Sequence, residues 1–196
     1  MADAEATPPS LTLPLLASPE DLAVALGTTA SEPRVTSALR RASARFRAAV
    51  HWRVDAATAT VRLDGHGRRS LRLPAREVTA CSVTLAASAT QPARLLVDGV
   101  DFEWSPDGII DRLGDRWPDR RRAVEVTFTA GYDPVPDDVQ EAVLDQAAAI
   151  YRIKRGLSSK QVGGITETYG SQEATGTTEQ WVTAVAAYRV GTGDRA

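Results

Sequence analysis

Apolar residues recur along this chain at two different periods, and the changes of period divide it. Between residues 33 and 53, Val35, Leu39, Ala42, Phe46, Ala49 and Val50 stand at three-and-four spacing, which gathers them on one face of a helix. From about residue 58 the period falls to two. The runs 60–63, 70–73, 78–85, 95–97, 100–104, 109–113 and 124–128 then read as short strands. Helical spacing returns with Val139, Val143, Gln146, Ile150 and Ile153, and again near the end with Trp181, Val182, Val185 and Tyr188.

Residues that start and stop such elements sit where these periods require them. Ser18-Pro19-Glu20-Asp21 combines a capping hydroxyl, a proline whose missing N–H costs nothing in the first turn, and acids suited to the positive helix end; Gly27 stops this short helix. Ser31-Glu32-Pro33 predicts a second start. Pro136 opens a helix with Asp137, Asp138 and Glu141 in its first turn and Arg152, Lys154 and Arg155 in its last, before Gly156. At ~1.5 Å per residue this helix spans roughly 30 Å. Asp64-Gly65, Asp98-Gly99 and Pro106-Asp107-Gly108 tolerate tight bends, so the middle block is expected to be a meander of hairpins. The segment 165–169 reads as an isolated strand, and Thr178-Glu179 caps the last helix.

The expected fold is therefore α+β: a helical core of two main amphipathic helices, with short and terminal helices, carrying an inserted antiparallel β-hairpin module. Residues 1–17 form an N-terminal arm and 18–156 the core, with helices at 18–27, 33–53 and 136–155 and the β insertion at 57–130. Residues 157–196 form a C-terminal arm whose strand and helix find no partner in their own neighbourhood.

Composition narrows the function classes. The 196 residues carry a net charge of -2, against a protein that wraps nucleic acid by neutralising phosphates. The one cysteine, Cys81, cannot form an internal disulfide and fits a half-buried strand position, as expected in a reducing compartment. No apolar run approaches the ~20 residues that span a bilayer, and the start of the chain, with Asp3 and Glu5, is unlike a secretory signal.

Candidate chemistry is sparse. His51 and His66 are the only histidines, and neither has a second histidine or a cysteine at ligand spacing. No Gly-x-Ser-x-Gly elbow or phosphate loop occurs, and the lone cysteine lacks a convincing histidine partner. Asp107, Asp111, Asp115 and Asp119 are interleaved with arginines in turns, so solvated ion pairs explain them more simply than a hydrolytic acid pair does. No catalytic residue, metal ligand or cofactor is assigned. The 33–53 helix also bears Arg34, Arg40, Arg41, Arg45, Arg47 and Arg53, with no acid between Glu32 and Asp55. That face is either solvated, or accepts acids of an adjacent subunit, or least readily contacts DNA, and the acids Asp137, Asp138 and Glu141 are candidates to meet it within a subunit or across one. Trp104, Trp117 and Trp181 divide in the same way between core packing and anchoring a partner.

In order, the parts are a capped short helix, a longer helix, a hairpin block, Trp117-Pro118, Gly131-Tyr132-Asp133-Pro134-Val135-Pro136, a long helix and Val162-Gly163-Gly164-Ile165-Thr166-Glu167-Thr168-Tyr169. Over residues 18–190 this order resembles the head-to-tail adaptor, or connector, proteins of long-tailed bacteriophages and prophages. The resemblance implies a non-enzymatic structural virion protein that forms a ring, commonly of twelve copies, between the portal and the stopper or tail-completion proteins. It implies double-stranded DNA passing through the channel, no membrane, and a site in the virion after assembly in the host cytoplasm. The arms of such proteins often reach a neighbour, which makes Ile165, Tyr169, Trp181, Val185 and Tyr188 candidates for portal or subunit binding. Arg41, Arg45, Asp137, Asp138 and Trp117 are the subunit-interface candidates. The alternative is a monomeric β-rich module that binds a protein or ligand without catalysis.

Overall fold

The computed structural model describes residues 13–152, 159–162, 165–168 and 178–190. The first helix, α1 (Pro19–Leu26), is capped as its sequence predicts: the Ser18 hydroxyl accepts from the N–H groups of Glu20 and Asp21, and Gly27 closes it in the left-handed conformation. The second, α2 (Pro33–Val50), starts at Pro33 as expected but ends early. Its N-cap, Glu32, makes no side-chain cap. The Glu32 carboxylate instead accepts from the hydroxyls of Thr28 at 2.7 Å and Tyr151 at 2.8 Å. At the other end His51, with φ at 66°, stops the helix three residues early. The third helix, α3 (Asp137–Arg152), packs against α2. Arg34 fastens that pair by lying 4.5 Å from the centre of the Tyr151 ring and donating to the Tyr151 carbonyl at 3.0 Å.

The middle block is strands, but it is not a meander. Strands β1 (Ala57–Leu63), β3 (Val78–Leu85), β4 (Arg94–Leu95) and β7 (Val124–Ala130) form one antiparallel sheet in the order β1-β7-β3-β4. Strands β2 (Ser70–Arg72), β5 (Phe102–Trp104) and β6 (Ile109–Arg112) form a second, ordered β2-β6-β5. The last strand of this block thus enters between the first and the third. Burial explains why: Val124, Val126, Phe128 and Ala130 alternate as the most continuously buried strand face, and a strand so covered needs neighbours on both sides. Of the three turns read as hairpins, only Pro106-Asp107-Gly108 joins strands that pair, β5 with β6.

On the opposite face of the larger sheet, Thr58 faces Thr129 and Thr60 faces Thr127, each with hydroxyls 2.9 Å apart, and Arg62 donates to Glu125 at 2.7 Å. The inward face joins the helices in one apolar cluster that includes Phe46, Val50, Val83, Val126, Phe128, Val139 and Val143. Strand β8 (Ser159–Val162) pairs with β9 (Ile165–Thr168) as a separate antiparallel ribbon, so the strand expected to be isolated instead has a partner close by in sequence. The final helix is α4 (Glu179–Tyr188).

The Gly-Tyr-Asp-Pro sequence that carried part of the resemblance has a physical reason. Tyr132 donates to the Val54 carbonyl at 2.8 Å and accepts from the Ala56 N–H at 3.0 Å, which ties the exit of the sheet to the exit of α2. Gly131 passes beside that segment with φ at 107°, and a Cβ there would stand 2.6 Å from the Asp55 carbonyl oxygen. Gly131→Ala is therefore expected to cost about 2 kcal/mol or more, read as a lowered thermal midpoint. The Trp117-Pro118 pair is explained similarly. A Cβ on Gly65 would overlap the Pro118 carbonyl, so this loop closes on the Asp64-Gly65 turn only because that position is glycine.

Candidate interaction surfaces

A buried group of charges closes the end of α2. Arg47 donates to one Asp55 oxygen through Nε at 2.9 Å and NH2 at 2.6 Å, and Arg53 donates to the other at 2.7 Å. The Arg47 and Asp55 side chains are each only 10% exposed. Burial alone would push the Asp55 carboxyl up, but the hydrogen bonds and charges of Arg53 and Arg47 override it and hold the group below the usual carboxylate range. Arg47 also donates to the Pro14 carbonyl at 2.7 Å, and the Leu16 N–H donates to the buried Ser43 hydroxyl. Leu16 and Ala17 are buried and Leu15 packs against the core, while Leu13 is 43% exposed, so residues 15–17 are held more closely than the loose arm expected. No composition signal marked that difference, because Leu11 to Leu16 was too short and proline-broken to read as an element.

The helix expected to lie on a partner is instead covered by its own chain. Trp181 is 7% exposed and meets Phe46 edge to face with centroids 5.4 Å apart. Val185 is half-buried against the same cluster. Tyr188 packs edge to face on Tyr132 at 5.7 Å, donates its hydroxyl to Asp138 at 2.9 Å, and accepts at its carbonyl from the Trp52 indole at 2.7 Å. Burial first, and then the Asp138 hydrogen bond, push the Tyr188 phenol up to about 12. The Val190 N–H donates to the Val50 carbonyl, and Arg189 NH2 lies 3.2 Å from His51 Nε2. Trp181, Val185 and Tyr188, the partner-binding candidates of this helix, thus pack on α2 and the residues before α3 of their own chain, Trp181 buried and the other two partly so. Trp117, an interface candidate, is buried as well. It is 1% exposed, beneath the Arg112 guanidinium at 5.8 Å, although its indole N–H has no acceptor among the described residues.

The remaining candidates divide by exposure. Arg41 and Arg45 lie on the exposed face of α2, and Arg40 and Arg41 form no ion pair among the described residues. Asp137 and Asp138 are exposed at the start of α3, where Asp137 accepts weakly from Gln140 at 3.5 Å and Asp138 is shared by Tyr188 and the Val139 N–H. Among the described residues, neither acid forms an ion pair with Arg34, Arg40, Arg41, Arg47 or Arg53. Ile165 belongs to β9, and Tyr169 lies outside the described residues.

Chemistry that would suggest catalysis is not assembled among the described residues. No group of three or more His, Cys, Asp or Glu side chains is placed to hold a metal ion. His66 lines an open recess of about 540 Å³ with Asp64, Asp119, Arg120, Arg121 and Arg122, a mixture of both charges. Asp107 lies exposed in the β5–β6 turn and Asp111 exposed on β6. Burial pushes the Cys81 thiol up to about 11, which leaves it protonated and a poor nucleophile at neutral pH. No described helix is long and apolar enough to cross a membrane.

A family model described as "Head completion protein" matches residues 22–190, most of the chain. The chain belongs to the head completion protein family. The resemblance to the head-to-tail connectors of phage-like particles is thereby borne out. The likeness of this family member extends to solved structures of gene transfer agent (GTA) particles. A chain from the virion of a native particle superposes with a TM-score of 0.63 at 18% identity, covering 97% of this chain and 95% of that one. A chain from the neck of an empty particle, computed with C6 symmetry, gives 0.61 at 19% identity and covers 94% of each. A chain from the neck of a native particle, computed with C12 symmetry, gives 0.60 at 20%, covering 92% and 93%. At these identities the match shows a shared fold over nearly the whole length. No curated protein matches the sequence.

Proposed function

We propose that this chain is a structural subunit of the neck of a phage-like particle: a head-to-tail adaptor that closes into a ring between the portal and the stopper or tail-completion proteins, around the path of the DNA. The observation that carries this reading is that nearly every residue of the chain, β block and terminal helix included, has a counterpart in subunits of symmetric GTA necks. Ring closure needs heterologous contacts between two different patches of each copy. Arg40 and Arg41, exposed on α2 and without an ion pair among the described residues, and Asp137 at the start of α3 offer opposite charges for such contacts, with Arg45 on the same exposed face. In this reading 18–156 is a wedge of helices with a β insertion, and the assembled protein resides in the virion after assembly in the host cytoplasm.

The portal contact then falls to a smaller part of the C-terminal arm than the sequence suggested. With Trp181, Val185 and Tyr188 committed to the core, Ile165 and Tyr169 remain as the apolar groups of the arm proposed to meet the portal. A two-stranded ribbon is marginal alone and gains stability by packing on a partner. A role without a catalytic residue or cofactor accords with a subunit whose work is assembly. Its near-neutral charge suits a channel lining that lets DNA slide past.

Native mass spectrometry or light scattering of the protein alone, and mixed with the portal protein of the same genome, tests this reading. The expected result is a ring, formed alone or on the portal, and weaker portal binding after Ile165→Asp with the helical signal unchanged. A monomer indifferent to the portal overturns the adaptor role and leaves a β-rich binding module.

A further inference from the structure

Both margins of the larger sheet are unfinished, in complementary ways. Strand β1 pairs only with β7, so along its other side backbone N–H and C=O groups have no strand partner among the described residues. This margin runs seven residues, Ala57–Leu63, without a proline, and its one charge, Arg62, lies across the sheet face against Glu125. Such an edge lacks the usual devices that prevent pairing with another chain. Its inward residues Val61 and Leu63 are only half-buried, because nothing flanks them on the outer side.

At the opposite margin, β4 has only two residues and continues into a turn that displays apolar side chains. Leu95, Val97 and Val100 are 66%, 57% and 70% exposed, three of the six large hydrophobic residues most open to water. The turn is held firmly. Asp101 accepts from the Val97 N–H at 3.0 Å and from Arg94 at 2.9 Å, and Arg112 lies 3.4 Å away. Beneath it Leu96 is buried and donates its N–H to the Val83 carbonyl at 2.9 Å. A pinned turn that presents apolar groups outward is a preformed contact surface, not a loop that would fold them away. Asp98 beside it accepts from the neutral Trp104 indole at 3.1 Å, whereas β1 carries no acid.

We propose that the β1 margin of one copy seats on the Leu95–Val97–Val100 margin of the next, so that successive four-stranded sheets are joined edge to edge around the ring. This deepens the adaptor reading and rests on it. A ring requires two different patches on opposite sides of each copy, and the order β1-β7-β3-β4 places these two at opposite ends of one sheet. The apolar turn would cover Val61 and Leu63 and remove its own surface from water. Asp98 would meet the acid-free strand.

A crosslinking experiment on the full chain, assembled with its portal where required, tests the pairing. Ala59→Cys and Val97→Cys are introduced singly and together, and a short bismaleimide is added. Cys81 provides a low background because its thiol stays protonated. The double variant is expected to give a ladder of covalent multimers and each single variant only monomer, since the contact is heterologous. Separately, Leu95→Asp with Val97→Asp should raise the protein concentration needed for assembly by on the order of tenfold, with the melting curve of the subunit unchanged because both positions are exposed. A ring that forms normally from the doubly acidic variant, or without a ladder from the two-cysteine variant, overturns this contact and leaves the adaptor reading intact. Crosslinking of the Val97→Cys single variant would also overturn it, by revealing a two-fold contact. A wild-type protein that never assembles, with or without portal, overturns the ring and this contact together.

Discussion

Replacing Trp181 by alanine is expected to destabilise the isolated subunit by about 3 kcal/mol or more, as large-to-small changes at a buried aromatic do. For a chain of this length that corresponds to a fall in thermal midpoint of about 10 °C. The reason is that α4 is held as part of the core: Trp181 meets Phe46 edge to face, Ala184 is buried beside it, and Trp52 donates to the Tyr188 carbonyl. Phe46→Ala should show a similar loss, and the double variant less than the sum, because each change removes the same contact. Thermal melts of the subunit without portal decide the matter. Equal midpoints for wild type and Trp181→Ala would mean that α4 is not docked in solution, and would return Trp181, Val185 and Tyr188 to the list of partner anchors.

The second large effect is expected at the buried charges. Arg47→Met leaves Asp55 with Arg53 alone and should cost about 3 kcal/mol, since removing one partner strands a buried charge. Asp55→Leu should cost at least as much, because it strands Arg47 among groups that cannot accept its protons. The pair Arg47→Met with Asp55→Leu should cost less than Asp55→Leu alone, as Arg53 is 40% exposed and can turn to water. The pH dependence follows in sign from Asp55. Its carboxyl is held below the ordinary range in the folded chain, so its contribution is full above the unfolded carboxylate value and is lost as pH falls through the folded one. The stability gap between wild type and Arg47→Met, followed by denaturant titration, should be widest near neutrality and close in acid. A gap that stayed constant through the acid range would show that Arg47 acts by packing and by its bond to the Pro14 carbonyl instead.

Local signals read well where the physics is local. The Ser18 cap, the Gly27 stop, the Pro136 entry into α3 and the Thr178 cap each depend on groups within four residues, and each stands close to where the sequence placed it. Strands β1 to β7, though not β8, were likewise found to within a few residues, because alternation reports a half-buried pleat regardless of what lies alongside. It does not report the neighbour. The pairing of β1 with β7 joins residues more than sixty positions apart, so the turn residues between them suggested a meander that the buried face of β7 excludes.

The interface candidates fared unevenly for the same reason. Trp117 and Trp181 were ambiguous because an aromatic residue near a turn or a chain end serves equally well as core or as anchor. Their burial depended on Arg112 and Phe46, which lie elsewhere in sequence. Asp55 had no local signature, yet it organises two arginines. The exposed Leu95, Val97 and Val100 were read as ordinary strand residues, since their period is that of a strand and only the absence of a covering element makes them a surface.

By itself, then, the sequence determined most of the elements, the α+β class and the family, all properties carried by short spacings and by the order of motifs. Which strand lies between which, whether the last helix belongs to the core or to a partner, and which charges are buried were decided only by the tertiary structure. Those outcomes depend on apolar area and backbone hydrogen bonds shared between segments far apart in the chain, and a one-dimensional pattern records each half of such a contact without recording the pair.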